Sequence, residues 1–178
     1  ADKGKVFFAV KADMGDIRRL GTASNWVKIS SAISSPGFPS DQHAKRMYLI
    51  NSLGQLYMAY TKSDSNISIT RVGSASNWVT AYGSSRPSES FKATNFYAYA
   101  LNGAGALYAL QDSTLSYMGN GFAGSTLRGN FLLKPNGQLY RLAATAPKPQ
   151  GPSCTLLGGF DDWDNVFNRS IGIRKMEE

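Results

Sequence analysis

With 178 residues, 42% of them hydrophobic and 12% aromatic, the chain can bury one sizeable core and lacks the charge-rich, aromatic-poor profile of a disordered protein. No apolar run approaches the roughly 18–20 residues of a membrane-spanning helix, so membrane insertion is not expected. The formal net charge of +7 comes from scattered residues, the tightest groups being Arg18-Arg19, Lys45-Arg46 and Arg174-Lys175, which describes a solvated basic surface rather than a nucleic-acid footprint.

In chain order, Gly4-Lys5-Val6-Phe7 opens a first β-type run, Val6–Val10, and Arg19-Leu20-Gly21-Thr22-Ala23-Ser24-Asn25-Trp26-Val27 comes after it. A strand at Met47–Ile50 then runs through Asn51-Ser52-Leu53-Gly54 into Leu56–Tyr60. Arg71-Val72-Gly73-Ser74-Ala75-Ser76-Asn77-Trp78-Val79 repeats the earlier nine residues almost position for position. Two further hairpins follow: Phe96–Leu101 and Leu107–Leu110 around Asn102-Gly103-Ala104-Gly105, and Phe131–Leu133 and Leu139–Leu142 around Lys134-Pro135-Asn136-Gly137. Asn and Gly between apolar runs are hairpin signals because both tolerate the positive φ of tight turns. Leu156-Leu157-Gly158-Gly159-Phe160-Asp161-Asp162-Trp163 is a looser third copy of the Gly–Trp segment, and Ser170–Arg174 is a strand with no partner downstream. No stretch carries a sustained 3.6-residue apolar stripe, so helix should be scarce.

The four Gly-x-Leu/Val-Tyr/Phe motifs stand 50, 51 and 32 residues apart, and 45 across the joined ends. Units of this size, each holding several short strands, predict an all-β fold of one domain: a small β-propeller with four blades of about four antiparallel strands. Its hairpins start near residues 4, 47, 96 and 131, and its third blade is shortened after Tyr108. The first motif lacks a leading strand, so the C-terminal strand near 170–174 is expected to close the first blade and hide its edge. Four motifs do not divide into the three units of a trefoil, and a two-sheet sandwich would not explain the repeats.

Phe7, Tyr57, Tyr108 and Tyr140 of the short motif suit packing positions in half-buried strands. The three Trp are different, because each follows a loop of small residues and an amide or carboxylate: Asn25 before Trp26, Asn77 before Trp78, Asp162 before Trp163. An exposed indole takes the C–H face of a pyranose, fixed amide or carboxylate groups bind its hydroxyls, and small residues admit it to the backbone. The alternative is a Trp wedged between blades and an Asn bonding its own turn, and the residues leave both open.

Catalytic readings find little support. The dense acidic cluster Asp161-Asp162-Asp164 sits in one turn, where side chains diverge instead of facing each other as glycosidase carboxylates must, and its spacing is not that of a calcium loop. A single histidine, His43, and a single cysteine, Cys154, supply neither a triad nor a His/Cys metal centre, so no catalytic residue, metal or cofactor is expected. Cys154 is either a small buried residue or an odd thiol whose intermolecular bridge would make a homo-oligomer with added avidity. Asn66-Ile67-Ser68 and Asn168-Arg169-Ser170 would be glycan acceptors in a secreted protein. A start at Ala1-Asp2-Lys3 without Met is what a removed leader would leave.

Asn25-Trp26-Val27, Pro36-Gly37-Phe38, Arg46-Met47-Tyr48-Leu49-Ile50 and Gly54-Gln55-Leu56-Tyr57 together resemble one repeat of the tachylectin-2-like propeller lectins, with tectonin-type propellers as neighbours. The run from Phe131 to Tyr140 is similar to that family's Pro-Asn-Gly-x-Leu-Tyr hairpin, and Gly158-Gly159-Phe160-Asp161-Asp162 resembles its Gly-rich turn. The resemblance implies a secreted lectin of innate defence or agglutination that binds N-acetylated amino sugars at one shallow site per blade, without metal or catalysis. The chain departs from the best-known member in having four uneven units instead of five matched ones. Met118-Gly119-Asn120-Gly121-Phe122 also stands where the third unit should have its Trp turn. The expected carbohydrate-binding residues are Asn25, Trp26, Asn77, Trp78, Asp162 and Trp163. A protein-interaction or adhesion propeller, and a binder of acidic polysaccharides acting through the +7 charge, are the alternatives.

Overall fold

The computed structural model describes residues 5, 7–9, 17–19, 22–30, 33–34, 45–63, 66–83, 97–143, 153–157, 163–167 and 171–174. Among these every regular element is a strand and none is a helix. β1 (Phe7–Ala9) and β2 (Ile17–Arg19) form an antiparallel pair with Phe7 opposite Arg19. Sheet I follows as β3 (Trp26–Ile29), the short β4 (Ile33–Ser34), β5 (Lys45–Asn51), β6 (Leu56–Ser63) and β7 (Asn66–Arg71). Its order is β3-β5-β6-β7, with β4 also on β5. Sheet II is β8 (Trp78–Gly83), β9 (Tyr97–Asn102), β10 (Leu107–Gln111) and β11 (Thr114–Gly119), and sheet III is β12 (Thr126–Arg128), β13 (Phe131–Leu133), β14 (Leu139–Ala143) and β15 (Ser153–Leu156). Each is a meander of antiparallel neighbours. The last pair is β16 (Trp163–Phe167) with β17 (Ile171–Arg174).

The hairpins lie where Asn and Gly placed them. The turn from β5 to β6 is closed by the Asn51 N–H donating to the Gln55 carbonyl at 3.1 Å and the Gly54 N–H to the Asn51 carbonyl at 2.9 Å. Asn102 and Ala106 with Gly105, then Lys134 and Gln138 with Gly137, repeat this pair of bonds. Gly54, Gly105 and Gly137 have φ of 69°, 82° and 85°, a region costly for residues with a Cβ, which is why the motif opens on Gly. The Asn51 side chain is buried and fastens its turn further, its Oδ1 accepting from the Leu53 and Gln55 N–H groups.

The sequence places the three Trp between strands, at the ends of Gly-rich turns; in the structure Trp26, Trp78 and Trp163 instead each open a strand, β3, β8 and β16. Each is followed by a bulge in the pairing, with Trp26 opposite Asn51, Trp78 opposite Asn102 and Trp163 opposite Arg174. The shortening expected after Tyr108 removes no strand from sheet II. Instead β12 and β13 are joined by Gly129 and Asn130 alone, where residues 84–96 separate β8 from β9.

Alternation along the strands gives every sheet two apolar faces, and the core is the set of seams between sheets. Tyr48, Ile50, Leu56 and Val72 of sheet I pack with Trp78, Ala81, Ala98, Ala100 and Leu110 of sheet II. The opposite face of sheet II presents Tyr99, Leu101, Leu107 and Ala109 to Phe122, Leu127, Leu132 and Leu142 of sheet III and its approach. In the seam between sheets I and II, at the end away from the Gly turns of sheet I, Tyr48 donates its hydroxyl to the Asp112 carbonyl at 2.8 Å, and Arg46 pairs with the Asp112 carboxylate at 2.8 Å. The Arg46 guanidinium also lies 4.5 Å above the centre of the Tyr60 ring.

Candidate functional site

The Gly turns and the loops that lead to the Trp residues share one rim. Within sheet I the Ser52 N–H donates to the Asn25 carbonyl at 2.8 Å, and within sheet II the Gly103 N–H donates to the Asn77 carbonyl at 2.7 Å. Between sheets, the Trp78 N–H donates to the Gly54 carbonyl and the Phe122 N–H to the Gly105 carbonyl, both at 3.0 Å. The backbones approach so closely that a Cβ on Gly54 would lie 2.5 Å from the Ser76 oxygen, and one on Gly105 would collide with the Ala123 nitrogen.

On this rim the expected site residues separate. Asn25 and Asn77 are exposed, beside the exposed small residues Ser24 and Ser74-Ala75-Ser76. Trp26 and Trp78 are buried, 8% and 4% exposed, and belong to the seams. Their rings meet Tyr57 and Tyr108 edge-on at 5.1 and 5.2 Å. Their faces are thus occupied by protein, and the open stacking surface expected of them is not at these two indoles. Both Nε1–H groups are buried and have no hydrogen-bond partner among the described residues. Trp163 lies at the start of β16, while Asp162, Asp161 and His43 lie outside the described residues.

The third unit keeps the arrangement with other residues. Phe122 takes the Trp place, edge-on to Tyr140 at 5.4 Å. Lys134 takes the place of Asn51 and Asn102, its ammonium 5.8 Å from the centre of the Phe122 ring and 5.9 Å from that of Tyr140. The Gly-Gln-Leu-Tyr copies carry a further link absent from the Gly-Ala-Leu-Tyr one: the Tyr57 hydroxyl donates to Gln55 Oε1 at 3.0 Å and the Tyr140 hydroxyl to Gln138 Oε1 at 3.4 Å. The half-buried motif tyrosines therefore pack, as their place in the strands suggested.

Among the described residues no group of three His, Cys, Asp or Glu could hold a metal ion. Cys154 is half-buried against the seam between sheets II and III, and burial pushes its thiol up to about 11. Such a thiol stays protonated near neutrality and is a poor nucleophile. Sequence reasoning passed over the exposed residue across from each motif tyrosine, Arg71, Tyr117 or Leu156, because the three have no chemistry in common and only strand register brings them to the same place.

No family model matches the chain, and neither a curated protein nor a solved structure matches it significantly.

Proposed function

We propose that the chain is a secreted, non-enzymatic carbohydrate-binding protein: a four-bladed propeller lectin that reads N-acetylated amino sugars or related glycans at shallow, repeated sites on the rim. The observation that carries this reading is the recurrence of one rim element, an exposed Asn held by its carbonyl to the neighbouring turn and flanked by small residues, at Asn25 and at Asn77. A backbone fixed in this way presents amide and peptide groups in a set geometry at little entropic cost, which suits a ligand made of hydroxyls and acetamides. Trp26 and Trp78 support the site from beneath, and Asp162 with Trp163 is the corresponding pair of the fourth blade.

On this reading the fourth blade is formed from both ends of the chain. Among the described residues β17 pairs with β16, and β1-β2 and β16-β17 are separate two-stranded sheets, so the closing pair of β17 with β1 belongs to the proposal. Trp163 opposite Arg174, followed by a bulge, repeats the first two strands of sheets I and II, while Phe7 opposite Arg19 repeats Tyr57 opposite Arg71 in the last two strands of sheet I. β16-β17 and β1-β2 therefore supply complementary halves. β16 lies against β13 of sheet III as β8 lies against β5 of sheet I. The buried cluster of Trp26, Met47, Leu49 and Ala59 draws all its described members from sheet I, and that of Leu133 and Leu139 from sheet III and the Leu157 beside it. Those are the two faces such a blade would cover.

A glycan array repeated at high salt tests the function. Salt-resistant binding to a neutral or N-acetylated sugar supports it. Binding that salt erases favours acidic polymers recognised through the +7 charge, and silence favours a protein-adhesion propeller.

A further inference from the structure

The position across from the motif aromatic on the outer strand is Arg19 opposite Phe7, Arg71 opposite Tyr57, Tyr117 opposite Tyr108 and Leu156 opposite Tyr140. Arg71 is drawn back onto the rim, donating to the Ser74 carbonyl at 2.7 Å. Tyr117 is 57% exposed. It ends a row of three rings that starts at buried Trp78, passes through Tyr108 at 5.2 Å and reaches Tyr117 at 5.5 Å, each step edge-on. An aromatic residue at a sheet edge needs no such backing to be tolerated. With it, the phenol is a fixed surface that loses little freedom when a ligand covers it.

The surroundings of Tyr117 supply the small residues and hydroxyls that the sequence pattern associates with the tryptophans. Leu115 precedes it by two residues on the same face of β11, and the Leu115 Cδ1 lies 2.8 Å from where a Cβ on Gly73 would stand. The outer strand of sheet II therefore borders the start of the loop Gly73–Asn77, in which Ser74, Ala75, Ser76 and Asn77 are exposed. The strand that carries the exposed ring thus borders a loop of small residues with the exposed serines Ser74 and Ser76.

We propose that Tyr117 is the stacking platform of a neutral pyranose site in the seam between sheets I and II, with Ser74 and the adjoining loop backbone as hydrogen-bonding partners. This rests on the lectin reading and assigns the ring that carries it. The C–H face of the sugar lies on the phenol, and its hydroxyls reach the loop. Leu156, at the same register but without a π face, forms no such platform.

The test is to titrate wild type, Tyr117→Ala, Tyr117→Phe and Leu156→Ala with chitotriose and with the arrayed neutral pyranosides, after confirming equal melting curves. Tyr117→Ala should lose one binding event per chain or weaken it roughly 3- to 10-fold, as expected for loss of one aromatic stacking partner, while Tyr117→Phe and Leu156→Ala bind as wild type. Wild-type binding that Tyr117→Ala leaves unchanged overturns this inference and spares the lectin reading. Silence of the wild type toward every sugar overturns both.

Discussion

The backbone N–H of Trp78 donates to the carbonyl of Gly54 at 3.0 Å, joining the start of sheet II to the hairpin of sheet I. Phe122 and Gly105 make the same bond, at the same length, one sheet further on. The Gly and the Trp that recur in the sequence are thus the two halves of one seam contact, each contributed by a different unit. A single unit cannot form it, so stacking and local turn geometry are coupled.

Replacing Gly54 or Gly105 with Ala separates the two demands on those positions. Both have positive φ, which costs a Cβ-bearing residue about 1–2 kcal/mol, and both would also press a methyl group into the backbone of the next sheet. Gly121 has a φ of 83°, and among the described residues nothing lies within 4 Å of where its Cβ would stand, so Gly121→Ala carries the conformational cost alone. Urea unfolding should rank Gly54→Ala and Gly105→Ala as clearly more damaging than Gly121→Ala. Equal losses would show that the seam yields without cost.

Trp78→Phe should be tolerated where Trp78→Ala is not. Phe122 already fills the corresponding place in the next seam, edge-on to Tyr140, so a phenyl ring can sustain the pair with Tyr108. Phe also removes the buried Nε1–H, which has no partner among the described residues, and this offsets part of the lost volume. Truncation to Ala opens a cavity and should cost about 3–5 kcal/mol, against about 1–2 kcal/mol for Phe, read from denaturant midpoints at constant slope.

The hairpins were legible because Asn-Gly and Gly turns between apolar runs have a local cause. Asn51, Gly54, Asn102, Gly105 and Gly137 all stand in the turns that their chemistry demands. The fate of the indoles was not legible. An Asn-Trp pair after a small-residue loop reads equally as an open platform or as a wedge, and only the bulge after Trp26 and Trp78, with the arrival of Tyr57 and Tyr108 from two strands away, decides for burial. Tyr117 escaped for the opposite reason. Nothing near it in sequence marks it, and its place beside Tyr108 exists only through the pairing of β10 with β11.

If the C-terminal pair completes the blade begun by β1 and β2, removing residues 171–178 should do more than trim an end. Loss of β17 would leave β16 without a partner and uncover the sheet I and sheet III faces together. The truncated chain should melt well below the full one, with a broader transition and increased binding of a hydrophobic dye. A sharp, unshifted transition would mean that the ends contribute no blade.

Alkali provides a probe of the seam that needs no ligand. Burial, reinforced by the nearby Asp112 charge, raises the Tyr48 hydroxyl far above the ordinary tyrosine range, and burial alone raises the Cys154 thiol to about 11 from a usual value of 9.0. In both cases the folded state holds its proton more tightly than the unfolded chain does. Their contribution is therefore complete below about pH 9 and is lost as pH climbs, first through Cys154 between about 9 and 11 and then through Tyr48 above 10. Tyr48→Phe removes the upper part of that slope and also the bond to the Asp112 carbonyl, so it should be less stable by about 1 kcal/mol at pH 7 and lose less than wild type above pH 10. Cys154→Ser should remove most of the slope between pH 9 and 11. Native Cys154 should meanwhile react with a thiol reagent at pH 8 at least tenfold more slowly than in urea. Fast native labelling, or parallel alkaline profiles for wild type and Tyr48→Phe, would place these groups in water instead of in the seams.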